Sequence, residues 1–381
     1  MVVRGRTSMS TLEEQITAVE DEIRNTAYNK ATQGHIGRLK AKLAVLRLER
    51  EARAKGKGAG LGYAVRKSGH ATVGLVGYPS VGKSTLLNRL TAAESETAAY
   101  DFTTLSIIPG MLRWSGASIQ LLDMPGLVPG AARGRGRGRE VLSVVRSTDL
   151  VLFLIDPEHT NLRALANELE GAGVRINQRP PRIVVQKNDR GGLTVSSTVR
   201  LSHLAGGLAS QIAREFGVHN GSIVFREDAT ADQLIDVLAG NRVYLPALIA
   251  VNKSELLGPA ERTRLALDLK PFDPTFISAR TGEGLDRLVE RIGSALRFIR
   301  IYVKPPGRPP DREEPVILRS GATVSSLLER LPGDLARSFR AAQIWGPSAR
   351  FPGQTVGREH VLADEDIVTV VVLRGSARAA A

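Results

Sequence analysis

From residue 71 onward, short apolar runs alternate with longer amphipathic stretches: 71–76, 118–122, 150–155, 182–185 and 245–251 read as strands, and 85–90 as part of a helix. Buried strands separated by helices predict an α/β domain with a largely parallel sheet, ending near Phe298. Farther on, strands are expected at 299–303, 316–318 and 367–372, with a helix starting near Thr323 and a stiff Pro305-Pro306-Gly307-Arg308-Pro309-Pro310 loop. This is a smaller α+β unit. Upstream, Ser10 and Glu13 form an S-x-x-E box that starts a helix. Ile36, Leu39, Leu43 and Leu46 make one apolar stripe on a second helix, with basic residues on its other faces. The two predict a helical hairpin, followed by a flexible Gly/Lys linker at 55–62.

Composition narrows the class. The 381 residues are 42% hydrophobic and 24% charged, which fits a globular chain of two or three domains. With no cysteine, disulfides, iron–sulfur clusters, thiolate zinc sites and Cys nucleophiles are excluded. The N-terminus lacks the apolar stretch of a signal peptide and no run is long enough to span a membrane, so a soluble, cytoplasmic protein is expected. Net charge is +13, and its distribution is uneven: between Arg24 and Lys67 there are twelve Lys or Arg against two acids. A second patch is Arg133, Arg135, Arg137 and Arg139, separated by glycines. Both favour a polyanionic partner such as RNA, the alternative being a basic surface that only aids solubility.

The chemistry starts at Gly77-Tyr78-Pro79-Ser80-Val81-Gly82-Lys83-Ser84, followed by Thr85, which fits G-x-x-x-x-G-K-[ST] between a predicted strand and a helix. Backbone N–H groups of such a loop surround phosphate oxygens, Lys83 neutralises β/γ charge, and the Ser84 hydroxyl ligates Mg²⁺. Asp123-Met124-Pro125-Gly126 follows a strand, placing an aspartate to hold Mg²⁺ through water and the Gly126 N–H to meet a γ-phosphate. Phe102-Thr103-Thr104 lies between, where Thr104 completes the metal shell. Lys83, Thr104, Asp123 and Gly126 are thus the candidate catalytic groups. Asn252-Lys253-Ser254-Glu255 and Ser278-Ala279-Arg280 each close an apolar strand. In a guanine-reading arrangement the Asn252 amide meets the base edge, the Lys253 stem covers it, Glu255 accepts from N1–H and N2–H₂, and the Ser278-Ala279-Arg280 backbone contacts O6. Singly, these segments are also ordinary turns and strand ends. Their joint order is not. The six histidines show no metal-ligand spacing.

On these strings the chain resembles the Obg-type P-loop GTPases, and within them the developmentally regulated GTP-binding protein family. Tyr100-Asp101-Phe102-Thr103-Thr104-Leu105, Phe225-Arg226-Glu227-Asp228-Ala229-Thr230 and Trp345-Gly346-Pro347-Ser348-Ala349-Arg350 carry the likeness as well. The resemblance implies a basic helical region and linker at 1–67 and a G domain at 68–298. It further implies a ubiquitin-like TGS domain at 299–373 and a tail at 374–381. Asp123 and Asn252 stand 129 positions apart, too far for one or two strand–helix–strand steps, so an α/β subdomain is expected at about 174–242. The insertion contains Gln186-Lys187-Asn188-Asp189, which imitates the base-reading motif but does not stand one strand before Ser278. The implied activity is slow Mg²⁺-dependent hydrolysis of GTP to GDP and phosphate by a switch acting on ribosome or RNA, with a protein activator among its partners.

Three positions depart from the pattern. Leu127 stands where many GTPases place a water-orienting glutamine, which implies slow turnover. Ser80 occupies the place where K⁺-activated relatives often carry Asn, which leaves K⁺ stimulation open. Glu255 replaces the usual Asp, so ATP use or relaxed base specificity stands as the alternative, as does an RNA-binding protein with a nearly inactive nucleotide site.

Overall fold

The computed structural model describes residues 11–27, 29, 32–56, 67–91, 107–125, 137–204 and 207–372. Phe102, Thr103, Thr104, Gly126, Leu127, Arg133 and Arg135 therefore lie outside the described residues, as do Ser10, most of the Gly/Lys linker and the tail.

In chain order, α1 (Leu12–Asn25) and α2 (Gln33–Gly56) precede β1 (Ala71–Gly77), α3 (Lys83–Thr91), β2 (Ile108–Trp114), β3 (Ala117–Asp123), α4 (Arg137–Val145), β4 (Leu150–Ile155) and α5 (Leu162–Gly171). Next come β5 (Val174–Ile176), β6 (Ile183–Lys187), β7 (Leu193–Ser197), α6 (Leu208–Glu215), β8 (Gly221–Phe225), α7 (Ala231–Ala239) and β9 (Val243–Leu245). β10 (Ala247–Val251), α8 (Pro259–Asp268), β11 (Thr275–Phe276) and α9 (Leu285–Leu296) complete the main sheet domain. The last segment is β12 (Phe298–Val303), β13 (Val316–Arg319), α10 (Val324–Leu328), α11 (Gly333–Arg337), β14 (Phe339–Trp345), β15 (Gln354–Val356) and β16 (Ile367–Val372).

The chain divides into two compact units. One gathers α1, α2 and the segment from β5 to β9. Its three-stranded sheet has the order β6-β8-β7; α6 and α7 cover one face, and α2 packs on those two helices. The helix start here differs from the sequence reading: Thr11, not Ser10, caps α1, with Thr11 and Glu14 bonding each other's backbone N–H at 3.3 and 2.8 Å. Glu13, freed from that role, approaches Arg50 at 3.5 Å. α2 also differs. Its Leu39 and Leu46 pack on Ile16 and Val19 of α1 as the stripe predicts, but Ala41 and Ala44, on a face expected to be basic, are buried in the core built by α6, α7 and the sheet. Small side chains let the helices approach: a Cβ on Gly37 would meet Leu208 at 3.3 Å.

The other unit holds a six-stranded sheet of order β11-β10-β4-β1-β3-β2, all parallel except the β2–β3 hairpin. β1 and β4 are buried along their whole length, as unbroken apolar runs require. The same unit carries a five-stranded sheet of order β13-β12-β16-β14-β15 with a parallel β12–β16 pair at its centre, against which α10 packs. This is the expected ubiquitin-like layout. Asp149, just before β4, ties it to the main sheet: its carboxylate accepts from Lys67 Nζ at 3.1 Å, Arg319 Nη2 at 2.9 Å and the Thr72 N–H at 2.8 Å. No helix among the described residues is long and apolar enough to cross a membrane.

Candidate nucleotide site

In an open α/β sheet, ligands sit outside the carboxyl ends of the strands. β1, β3, β4 and β10 end there with, respectively, the loop from Gly77 to Lys83, Asp123, Asp156 and Asn252. The loop from β1 turns directly into α3 at Lys83, so the first-turn N–H groups of that helix face the same space. Val81, fully buried, anchors the loop in the core beside Leu86 and Leu154. Gly82 has φ +94°, and a Cβ there would lie 2.4 Å from Asn252 Nδ2, so only glycine fits. Pro79 and Ser80 are exposed at the loop tip, Ser80 with φ 64°.

Lys83 is buried, and its ammonium donates to Tyr78 O at 2.8 Å and Gly77 O at 3.3 Å. Burial pulls its pKa below the ordinary lysine value, while the nearby Asp123 carboxylate works the other way. The Ser84 hydroxyl donates to Asp123 Oδ2, so the two groups expected to serve Mg²⁺ are in direct contact. Thr85 is exposed on the first turn of α3, and Met124 is buried beneath the end of β3.

On the opposite side of the loop, Asn252 is buried and binds protein at both ends of its amide. Nδ2 donates to Val81 O at 2.8 Å, and Oδ1 accepts from the Ala279 N–H at 2.9 Å. The amide and the Ala279 N–H, which the sequence assigns to the base edge and to O6, are here bonded to each other and staple the phosphate loop to the Ser278-Ala279-Arg280 turn. The second Nδ2 hydrogen is all the amide retains as a donor. Lys253, with φ 58°, reaches Asp156 Oδ2 at 2.5 Å. The Ser278 hydroxyl, with Arg280 behind it, holds the Glu255 carboxyl below the usual glutamate range; Arg280 Nε lies 3.2 Å from Glu255 Oε1. Arg262 braces this turn, donating to Ser254 O at 2.8 Å and Glu283 Oε1 at 2.9 Å.

Sequence reasoning missed Asp156, His159 and Asn161. Asp156 is fully buried and accepts from Lys253 and from both the ring and the backbone N–H of His159, each of the latter at 2.9 Å. Burial opposes its charge, but the bonds from Lys253 and His159 prevail and its pKa falls below the ordinary aspartate value. That bond in turn raises the pKa of Lys253. His159 stacks on Tyr78 with ring centroids 5.6 Å apart, and the Tyr78 hydroxyl donates to Asn161 O at 3.0 Å. The available signal was positional: an aspartate closing the apolar run 150–155, beside the strand that leads into the phosphate loop.

Fold and site together define a P-loop GTPase domain joined to a TGS domain. Residues 72–187 match the 50S ribosome-binding GTPase family, 190–298 the C-terminal region of that domain, and 299–372 the TGS domain. The chain is 52% identical over 366 residues to a GTP-binding protein of Methanocaldococcus jannaschii, covering 95% of this chain and 93% of that one. It is 45% identical to Developmentally-regulated G-protein 3 of Arabidopsis thaliana (95% and 99% covered) and 43% identical to Ribosome-interacting GTPase 1 of Saccharomyces cerevisiae (95% and 100% covered). The chain belongs to the developmentally regulated GTP-binding protein family.

Proposed function

We propose that the chain binds GTP with Mg²⁺ and hydrolyses it slowly to GDP and phosphate, as a nucleotide-controlled switch whose target is ribosome or RNA. The observation that carries this reading is the convergence of Lys83, Ser84 and Asp123 at the carboxyl ends of β1 and β3, with Asn252 locking the loop to the purine side. Ser84 and Asp123 form a hard-oxygen donor pair beside a phosphate loop, which suits Mg²⁺, with Thr104 as a further ligand. When bound, the ion neutralises charge developing on the transferred phosphoryl group. Lys83 exchanges its two loop carbonyls for phosphate oxygens, and the α3 N–H groups orient the phosphates. Lys253 covers the base, and Glu255 accepts from its N1–H and N2–H₂. With Leu127 in place of a glutamine, water is positioned by backbone, by a monovalent cation or by a partner; equal rates in Na⁺ and K⁺ would remove the cation from that set.

The ribosomal half of the proposal is supported by the name of the yeast relative and by the density of Lys and Arg along the sequence at 24–67 and 133–139. The test is GTP and ATP hydrolysis with and without Mg²⁺ and ribosomes, for wild type and Lys83→Ala. Mg²⁺-dependent GTP turnover, raised by ribosomes and reduced on the order of 10²–10³-fold by the substitution, is expected. Absence of turnover in every condition would leave an RNA-binding protein with an inactive site. Glu255 motivates the second reading, ATP use: a GTP/ATP preference that appears only in Glu255→Asp would favour it.

A further inference from the structure

Charge in the N-terminal helices is largely compensated within the unit they belong to. Lys40 pairs with Asp232 at 2.8 Å, Arg47 with Glu20 at 2.8 Å, Arg50 with Glu13 at 3.5 Å and Arg24 with Asp21 at 3.3 Å. The β6-β8-β7 sheet of the same unit presents a different picture. Ile183, Val185, Ile223, Phe225, Leu193 and Val195 point to the helices. The alternate positions make the opposite face. Register sets Val224 between Val184 and Ser196, and Ser222 between Gln186 and Thr194. The ladder continues one step through the bond from Arg226 N–H to Arg182 O at 2.9 Å, which puts two exposed arginines directly opposite each other.

Like charges facing across a sheet destabilise it unless something of opposite sign lies over them. Among the described residues neither guanidinium has a hydrogen bond or ion pair. The neighbouring acids are committed elsewhere: Glu227 to Arg179 Nη2 at 2.7 Å and to the Arg182 N–H at 2.9 Å, and Asp228 to Ser202. The three rows hold no carboxylate, no aromatic ring and only two valines. A protein interface core favours aromatic and Met side chains, whereas phosphodiester backbones are held by Arg together with Ser, Thr and Gln donors.

We propose that this outer sheet face is an RNA-backbone docking surface, phosphates meeting Arg182 and Arg226 and the Ser196, Thr194, Ser222 and Gln186 side chains donating alongside. The inference rests on the RNA reading above and gives it a location.

The experiment is fluorescence anisotropy of the full chain with a labelled ribosomal RNA fragment, and a duplex DNA of equal length, across a KCl series. Arg182→Gln/Arg226→Gln is compared with wild type, with Arg182→Lys/Arg226→Lys and with Arg264→Gln/Arg287→Gln, two exposed arginines on α8 and α9. The Gln pair is expected to weaken RNA binding about tenfold at low salt and to flatten the slope of log K against log[KCl] by about 0.9 for each phosphate no longer neutralised. The Lys pair keeps the slope and the α8/α9 pair changes it little. Thermal unfolding of the Gln pair is not lowered, since a repulsion is removed. An unchanged slope in the Gln pair, an equal loss of binding in the α8/α9 pair, or dependence on these arginines for ribosome pelleting but not for naked RNA, which would point to a protein partner, each overturns the assignment. Wild type that binds neither RNA nor ribosomes overturns the RNA reading itself. Equal binding of the DNA duplex would show recognition of phosphate alone and contradict an RNA-specific surface.

Discussion

Asp156 shows how one buried carboxylate can order the candidate base-reading turn from beneath. It holds Lys253 in the left-handed backbone conformation that aims its stem, and its second oxygen fixes the ring that stacks on Tyr78 of the phosphate loop. Asp156→Asn keeps the shape and removes the charge, so the Lys253 contact loses part of the roughly 1.5–3 kcal/mol of a charge-assisted bond. GDP affinity measured by calorimetry is expected to fall about tenfold, the equivalent of about 1.4 kcal/mol. The sign of the pH effect follows from the depressed pKa. Asp156 contributes stability that is present above its unfolded value of about 3.9 and lost only as pH falls through its lower folded value. Titration of this residue therefore leaves binding flat between about pH 5 and 8. Lys83 behaves oppositely. Its burial-lowered pKa is restored when phosphates surround it, so GTP binding takes up protons in the alkaline range below about pH 10.4, readable as a buffer-dependent binding enthalpy. The placement of Lys83, Ser84, Asp123 and Asn252 at strand ends was legible because the phosphate loop and the base-reading turn proposed here need those residue types there. Asp156 was not, because its role comes from a neighbour 97 positions away in sequence.

Among the elements, α2 separates what periodicity reveals from what it hides. Leu39 and Leu46 mark one buried face, but Ala41 and Ala44 bury a second through small size, which hydropathy weighs too lightly to register. Ala41→Leu overfills that face and is expected to destabilise the unit by about 1–3 kcal/mol in urea unfolding, with GDP affinity unchanged. The helix start is a sharper case. Thr11 with Glu14 caps α1, one step past the Ser10 and Glu13 box that the sequence offers. Thr11→Ala is expected to cost about 1 kcal/mol by the same unfolding assay.

At the scale of the molecule, the alternation of apolar runs foretold the parallel sheet, the late strands foretold a smaller α+β unit, and the family resemblance implied its ubiquitin-like layout. The grouping of α1 and α2 with the segment from β5 to β9 was invisible, because it depends on which face of α2 meets α6 and α7 rather than on any local pattern. The proposed switch and its proposed specificity both depend on the loop around Lys83 holding a guanine nucleoside triphosphate with magnesium. Calorimetric titration of the full chain with a non-hydrolysable GTP analogue and Mg²⁺, beside the ATP analogue and Lys83→Ala, tests this directly. The prediction is binding at least tenfold tighter for the guanine analogue, abolished or reduced by about two orders of magnitude in the variant. Correctly folded protein that takes up neither nucleotide, or a variant that binds as well as wild type, would contradict it.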